Sequence, residues 1–295
     1  MIKLFWNTHN QKKFSKTDIN NKKYAVDEIW GTYHKNNSDK WIYEILKKTE
    51  FSTIEKETKL EKNDSLIIID SSIEEKKEFY EKLKLICSKI YLFHLGDESG
   101  IHNFSPIYDK CDYVWRTFCI NKYFENTKVK CIPLGYKSGV FDRNVKKRKY
   151  KWAFVGTPHK SSRHDLLFQF SDISPSFCHK TKKFNKEIIS VEQMTEVLSS
   201  TYFIPCPNGF VHPETYRLYE ALECGSIPIV ENAYRYYDRL FPNNPFIKVD
   251  IWADAKPIIN GWGEKQILKK QEECKIWWKN KKTEIQNLIQ NKINP

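Results

Sequence analysis

Short apolar runs recur along the chain, and polar stretches with helical spacing fill the gaps between them. Residues 2–6 (IKLFW), 65–70 (SLIIID), 89–95 (KIYLFHL) and 113–118 (YVWRTF) read as buried strands, and 129–133 as a shorter one. Residues 41–50 read as a helix. Over 74–87 the spacing puts Phe79, Leu83 and Ile86 on one helical face. Strands alternating with helices predict a parallel sheet flanked by helices. Ligands of such sheets bind beyond the carboxyl ends of the strands. His94, Asp97 and Glu98 stand at such an end and are the candidates for a general base. A buried core histidine and carboxylates that cap the next helix are the plain structural readings of the same residues. Arg116, in the following strand, and Tyr136, just past the last one, are candidate acceptor or cleft residues.

The pattern breaks at 143–149 (RNVKKRK), a basic run without an apolar face. Such a run reads as a solvated linker, with a patch for acidic lipid or glycan as the alternative. The expected domains are therefore 1–145 and 150–295. A strand at 151–155 restarts the pattern, followed by Gly156, Thr157 and a helix from about Ser162 to Phe170 with Arg163 in its first turn. This turn is a candidate phosphate site, because backbone N–H groups converge at a helix start. It is neither a Walker A loop nor a G-x-G-x-x-G motif. Residues 264–293 read as one long basic helix, expected to pack back across the domain boundary.

Residues 202–231 (YFIPCPNGFVHPETYRLYEALECGSIPIVE) form the unit with the most chemistry. A strand runs into a turn with Asn208 and Gly209. A helix follows, ended by Gly225, which suits a C-terminal cap, and a second strand closes the unit. Arg217 and Glu220, three residues apart, share a helix face opposite Leu218 and Leu222. A cation, a carboxylate and an open helix start beside a glycine turn suit a phosphorylated, ribose-bearing ligand. The plain alternative is an ordinary surface pair, which contributes little.

Composition narrows the picture. The chain has 295 residues, 40% apolar and 15% aromatic, enough for two real cores rather than a disordered chain. Basic residues outnumber acidic ones by 29 to 21 over 1–149 and by 20 to 16 over 150–295. The net charge of +12 is thus spread over both halves and fits an anionic partner such as a nucleotide, phosphorylated glycan or membrane surface. Eight cysteines show no C-x-x-C spacing, which argues against a zinc cluster; they are expected to be reduced and the protein cytoplasmic, with peripheral membrane contact as an option. No run reaches the ~20 apolar residues of a membrane span, and the start is too short in apolar residues for a signal peptide. The polar stretch from Asn7 to Lys40 carries Trp30, Gly31, Tyr33 and His34, which read equally as a sugar pocket or as a loop packed on itself.

The stretch T-x-R-x-x-E-A-L-x-x-G-x-I-P-I-V, from Thr215 to Val230, resembles the donor-binding signature of exostosin-like glycosyltransferases. H-L-G-D-E at 94–98, V-W-R at 114–116, I-P-L-G-Y at 132–136 and W-A-F-V-G…R at 152–163 also resemble that broad family, including relatives of the ribitol xylosyltransferases. The resemblance implies a GT-B fold: α/β, two Rossmann-like domains whose parallel sheets face across a cleft. It implies a nucleotide-sugar donor, with a UDP-sugar favoured, held by the second domain, and a glycan or glycoconjugate hydroxyl as acceptor. Glu220 would contact the ribose or sugar, and Arg217 and Arg163 the diphosphate, with Gly156, Thr157, Asn208, Gly209 and Thr215 around them. Transfer would be inverting. No D-x-D motif is present, so neither a metal nor another cofactor is expected, and basic side chains would stabilise the leaving group. Three alternatives stay open: a GDP-fucose-type fucosyltransferase, a non-catalytic scaffold, and a basic polyanion-binding protein. Nucleic acid is not an expected partner, since no nucleic-acid-binding module is recognisable.

Overall fold

The computed structural model describes residues 1–7, 39–54, 59–71, 73, 76–145, 147–182 and 189–294. Trp30, Gly31, Tyr33 and His34, read above as a pocket or a packed loop, lie outside the described residues. The chain divides into two compact units, Met1–Leu134 with Ile285–Pro295, and Gly135–Glu284.

The first unit is built on a six-stranded parallel sheet. Its strands are β1 (Ile2–Asn7), β2 (Ser52–Thr53), β3 (Ser65–Asp70), β4 (Lys89–His94), β5 (Tyr113–Arg116) and β6 (Val129–Cys131), in the order β2-β1-β3-β4-β5-β6. Among the helices that connect or cover them are α1 (Asp39–Leu46), α2 (Lys77–Ile86), α3 (Ser105–Tyr108) and α4 (Asn121–Phe124). Leu66, Ile67, Ile68 and Ile69 are all buried, which is why β3 reads as an unbroken apolar run. Full burial of each side chain contributes about 1.5–3 kcal/mol. The register aligns Asn7, Asp70, His94, Arg116 and Cys131 in one row at the carboxyl edge of the sheet.

Two cysteines depart from the all-reduced expectation. Cys119 and Cys131 form a disulfide, their Cα atoms 5.6 Å apart. The turn after β5 returns the chain beside the end of β6, which brings together residues that no local spacing links.

The second unit holds a five-stranded parallel sheet of β7 (Tyr150–Gly156), β8 (Ser176–Lys180), β9 (Thr201–Cys206), β10 (Ile227–Glu231) and β11 (Ile247–Val249), ordered β11-β10-β9-β7-β8. Its helices include α5 (Arg163–Gln169), α6 (Val191–Ser199), α7 (Tyr216–Glu223), α8 (Tyr236–Leu240), α9 (Ala255–Gly261) and α10 (Glu264–Ile293). Trp152, Phe154, Phe170, Phe203, Ile229 and Trp252 anchor its core. A reciprocal capping box starts α6: Ser190 Oγ accepts from Gln193 N at 3.2 Å, and Gln193 Oε1 accepts from Ser190 N at 3.0 Å.

The basic run 143–149 lies inside this second unit, not between the units. Its Arg148 is no solvated linker residue. One guanidinium nitrogen donates to Leu198 O, Thr201 O and Ser226 Oγ, the other to Cys224 O and Gly225 O, at 2.7–3.2 Å. Those carbonyls end α6 and α7 or begin the following strand, so the arginine satisfies acceptors that the helices leave open. Gly225 lets the arginine approach: with φ +68 it takes a left-handed turn, and a Cβ there would stand 3.1 Å from the guanidinium.

The long helix α10 is shared. Its residues up to Glu284 belong to the second unit, where Trp278 Nε1 donates to Glu223 Oε2 at 2.8 Å. Residues from Ile285 belong to the first, where Gln286 Nε2 donates to Glu44 O at 2.9 Å and the Lys292 ammonium lies 4.6 Å from the Tyr113 ring centre. The expected return of the C-terminal helix across the boundary is thus observed. Among the described residues no helix is long and apolar enough to cross a membrane.

Candidate functional site

At the carboxyl end of the second sheet, β7 and β9 deliver the groups that surround the start of α7. Thr215 is the residue before the first helical turn, with extended backbone at φ −138 and ψ 153. Its Oγ1 is buried and makes no hydrogen bond, so it does not cap the helix. Asn208, in the turn after β9, donates its backbone N–H to Glu231 Oε2 at 2.8 Å, while its own Oδ1 is buried and unbonded. Gly209 N donates to His212 O at 2.8 Å and closes the turn. Buried polar atoms without partners are rare and call for an explanation; one of these two, Thr215 Oγ1, stands at the start of α7, and the other in the turn that follows β9.

Arg217 is held in one orientation. Its guanidinium donates to Val155 O at 2.7 Å and packs over the Phe154 ring, 5.0 Å from the centre. Gly156 makes room for it: φ is +143, and a Cβ there would stand 3.0 Å from the Arg217 terminal nitrogen. Burial pulls the Arg217 pKa below its ordinary value, opposed by the neighbouring Cys206 and Glu220. Glu220 is buried, and burial raises its pKa above the usual carboxylate range, opposed by Lys137 and Arg217. Its carboxylate accepts no hydrogen bond from the described residues. Thr157 and Arg163 close the β7 side: Arg163 donates to Thr157 O at 3.1 Å, and Thr157 Oγ1 lies 3.0 Å from Thr181 Oγ1.

The loop before α7 is fastened from below. Glu214, buried, accepts from the Tyr219 hydroxyl and from the Tyr236 hydroxyl at 3.1 Å, and Tyr237 OH donates to Pro213 O at 2.9 Å. Burial and the Glu214 charge push the Tyr219 and Tyr237 hydroxyls well above their ordinary pKa. These tyrosines, with Glu231 and Lys137, escape sequence reasoning because they lie outside the helix-face pattern. The only cue was the density of tyrosine at 216–237.

The first unit treats its candidates differently. His94 is fully buried; its Nδ1 pairs with Tyr108 OH at 2.7 Å, and its Nε2 is enclosed without a partner. Burial, with Arg116 and Lys76, holds its pKa well below the ordinary value, so it is neutral at pH 7 and shut away from a substrate. The Asp97 carboxylate is wholly buried and accepts from Arg116 at 3.2 Å, which makes it a counter-ion rather than an available base. Arg116 is likewise buried, donating to Thr117 O, Tyr108 OH and Phe118 O and lying 4.5 Å from the Tyr123 ring centre. It organises the strand ends instead of facing an acceptor. Tyr136 is also buried, in the second unit, its ring centre 6.0 Å from the Lys282 ammonium. Glu98 alone of the three base candidates is exposed.

A two-unit α/β chain with parallel sheets of six and five strands has the architecture of GT-B glycosyltransferases. A solved structure described as an alpha1,3-fucosyltransferase shares that fold at a TM-score of 0.51 and 13% identity, over 91% of this chain and 80% of the other. A second, described as the same enzyme type with GDP, matches at a TM-score of 0.49 and 13% identity over the same shares. A comparison with curated proteins gives no match. The model of the RXYLT1 C-terminal domain matches residues 138–294, more than half of the chain, and the chain belongs to that family. It is a member of the exostosin-like GT-B glycosyltransferases, ribitol xylosyltransferases among them, that its motifs resemble.

Proposed function

We propose that this glycosyltransferase moves a sugar from a nucleotide donor, preferentially a UDP-sugar, to a hydroxyl of a glycan or glycoconjugate, with inversion. The observation that carries the reading is the start of α7, with a fixed guanidinium (Arg217), a buried carboxylate without a hydrogen bond (Glu220) and a buried unbonded hydroxyl (Thr215 Oγ1), and a second unbonded oxygen (Asn208 Oδ1) in the turn after β9. A nucleoside diphosphate offers partners for each. Its phosphates suit Arg217 and the helix start, with Arg163 beside them. Its ribose hydroxyls suit the acceptors Glu220 and Asn208, and the Thr215 hydroxyl serves as donor or acceptor.

In the transfer step the acceptor oxygen forms a bond to the anomeric carbon as the carbon–oxygen bond to the diphosphate breaks. The diphosphate leaves with the electron pair, and its charge is met by Arg217. Glu98, exposed at the carboxyl edge of the first sheet, takes the acceptor proton. The cations and the helix start serve where other transferases use a divalent ion, so chelators leave the activity intact in this reading. Strict dependence on added manganese would overturn that part.

The test is thermal stability against UDP, GDP, CDP and ADP, each with and without a divalent ion. A ligand that binds only the folded state raises the melting temperature. A shift with UDP supports the proposed donor; a shift with GDP alone moves the donor to a GDP-sugar. With a donor in hand, Glu98→Gln abolishes transfer while binding persists; full activity in that variant places the base elsewhere.

A further inference from the structure

Lys137 stands in the second unit, half-buried, with its ammonium 5.8 Å from the centre of the ring of Tyr216, the first residue of α7. Its ammonium makes no hydrogen bond with the described residues. Other poorly exposed lysines behave otherwise. Lys3 holds Asp64 at 2.6 Å, Lys76 holds Asp70 at 2.8 Å, Lys248 holds Asp238 at 2.5 Å and Lys282 holds Glu223 at 3.0 Å. A partly desolvated ammonium keeps its charge at least cost when a carboxylate or other acceptor engages its three donors. Lys137 has instead an aromatic face, a weak partner for an ammonium, and the charge of Glu220, close enough to be felt by that carboxyl.

The two arginines of the site each give part of a fork to the protein itself. Arg217 donates to Val155 O and Arg163 to Thr157 O. Lys137, Arg217 and Glu220 together carry one surplus positive charge, which favours an anion at this helix start. The cation–π contact leaves the lysine stem free to turn without breaking any hydrogen bond, so engaging a ligand costs little of the ligand-free structure.

We propose that Lys137 is a further phosphate-binding residue of the donor site, its ammonium leaving the Tyr216 ring to contact the diphosphate as a point charge beside the Arg217 fork. The proposal rests on reading the α7 cluster as the donor site. It assigns a role to a residue outside the donor signature, and it predicts that the phosphates, not the base, feel its loss.

The experiment is calorimetric titration of inorganic pyrophosphate, UDP and GDP into the full chain as wild type, Lys137→Gln, Lys137→Arg and Arg217→Ala, with ligand-free melting temperatures measured alongside. The expected result is a ~10-fold weaker affinity in Lys137→Gln for pyrophosphate and for whichever nucleotide binds, the loss of one charge-assisted hydrogen bond. Lys137→Arg retains binding within about threefold, and the ligand-free melting temperatures stay together. Wild-type affinity in Lys137→Gln, with binding lost in Arg217→Ala, overturns the role of Lys137 and leaves the donor site standing. Equal losses in Lys137→Gln and Lys137→Arg with lowered ligand-free melting temperatures mark a structural residue and also overturn it. No binding of any probe to the wild type overturns the donor-site reading and this role with it.

Discussion

Replacing Gly156 with alanine perturbs the way Arg217 is presented. The backbone there has φ +143, a region that alanine adopts only under strain, and the added methyl stands 3.0 Å from the Arg217 terminal nitrogen. The strain alone costs about 1–3 kcal/mol. The methyl also displaces a guanidinium whose bond to Val155 O is 2.7 Å long, and a hydrogen bond to a charged donor contributes about 1.5–3 kcal/mol. Even with half of that bond kept, the loss is roughly 2–4 kcal/mol. For a unit of this size it lowers the melting temperature by roughly 4–16 °C. The displaced guanidinium also meets the ligand poorly, so affinity for the bound nucleoside diphosphate drops by about 10-fold or more. Differential scanning calorimetry with a nucleotide titration reads both quantities. A Gly156→Ala protein that melts within about a degree of the wild type and binds nucleotide equally well would refute the idea that this glycine exists to seat Arg217.

Other substitutions separate structure from binding. Asp97→Asn leaves the buried Arg116 without its counter-ion and destabilises the first unit by about 3–5 kcal/mol, read as a drop in melting temperature that Asp97→Glu partly spares. Thr215→Val removes an Oγ1 that bonds nothing in the ligand-free protein, so it leaves the melting temperature near the wild-type value but weakens nucleotide binding several-fold. Glu220 has a raised folded pKa, so the folded state holds its proton more firmly than the unfolded chain. Its contribution to stability is therefore complete below the unfolded carboxyl pKa and is lost as pH rises through the raised folded value. Melting temperatures across that window change more steeply in the wild type than in Glu220→Gln, and parallel curves would show that this carboxyl is not the source.

The parts of the fold legible in the sequence were those set by local patterning. A parallel strand buried on both faces reads as an unbroken apolar run, as in β3 and β4, and α10 announced itself by length and charge. Gly225 marked the end of α7 because a left-handed turn is needed there. The donor signature placed Arg217, Glu220 and Thr215 around one helix start, since helical spacing is local. Long-range register was invisible. Asp97 and Arg116 looked like two independent site residues until the pairing of β4 with β5 put His94 beside Arg116 and made Asp97 its counter-ion. The basic run 143–149 looked solvated because composition does not reveal that Arg148 meets five acceptors at the ends of α6 and α7. The Cys119–Cys131 bond and the place of Lys137 beside Tyr216 depend in the same way on elements distant in sequence.

The most direct measurement is isothermal calorimetry of UDP and GDP binding to the wild type and to Arg217→Ala, in buffer with chelator and at moderate salt. The expected result is saturable binding of one of the two nucleotides to the wild type, UDP on the reading favoured above, and at least a ~10-fold loss in Arg217→Ala. Binding that is equal in both proteins, or absent from a folded wild type, would contradict a donor site at the start of α7.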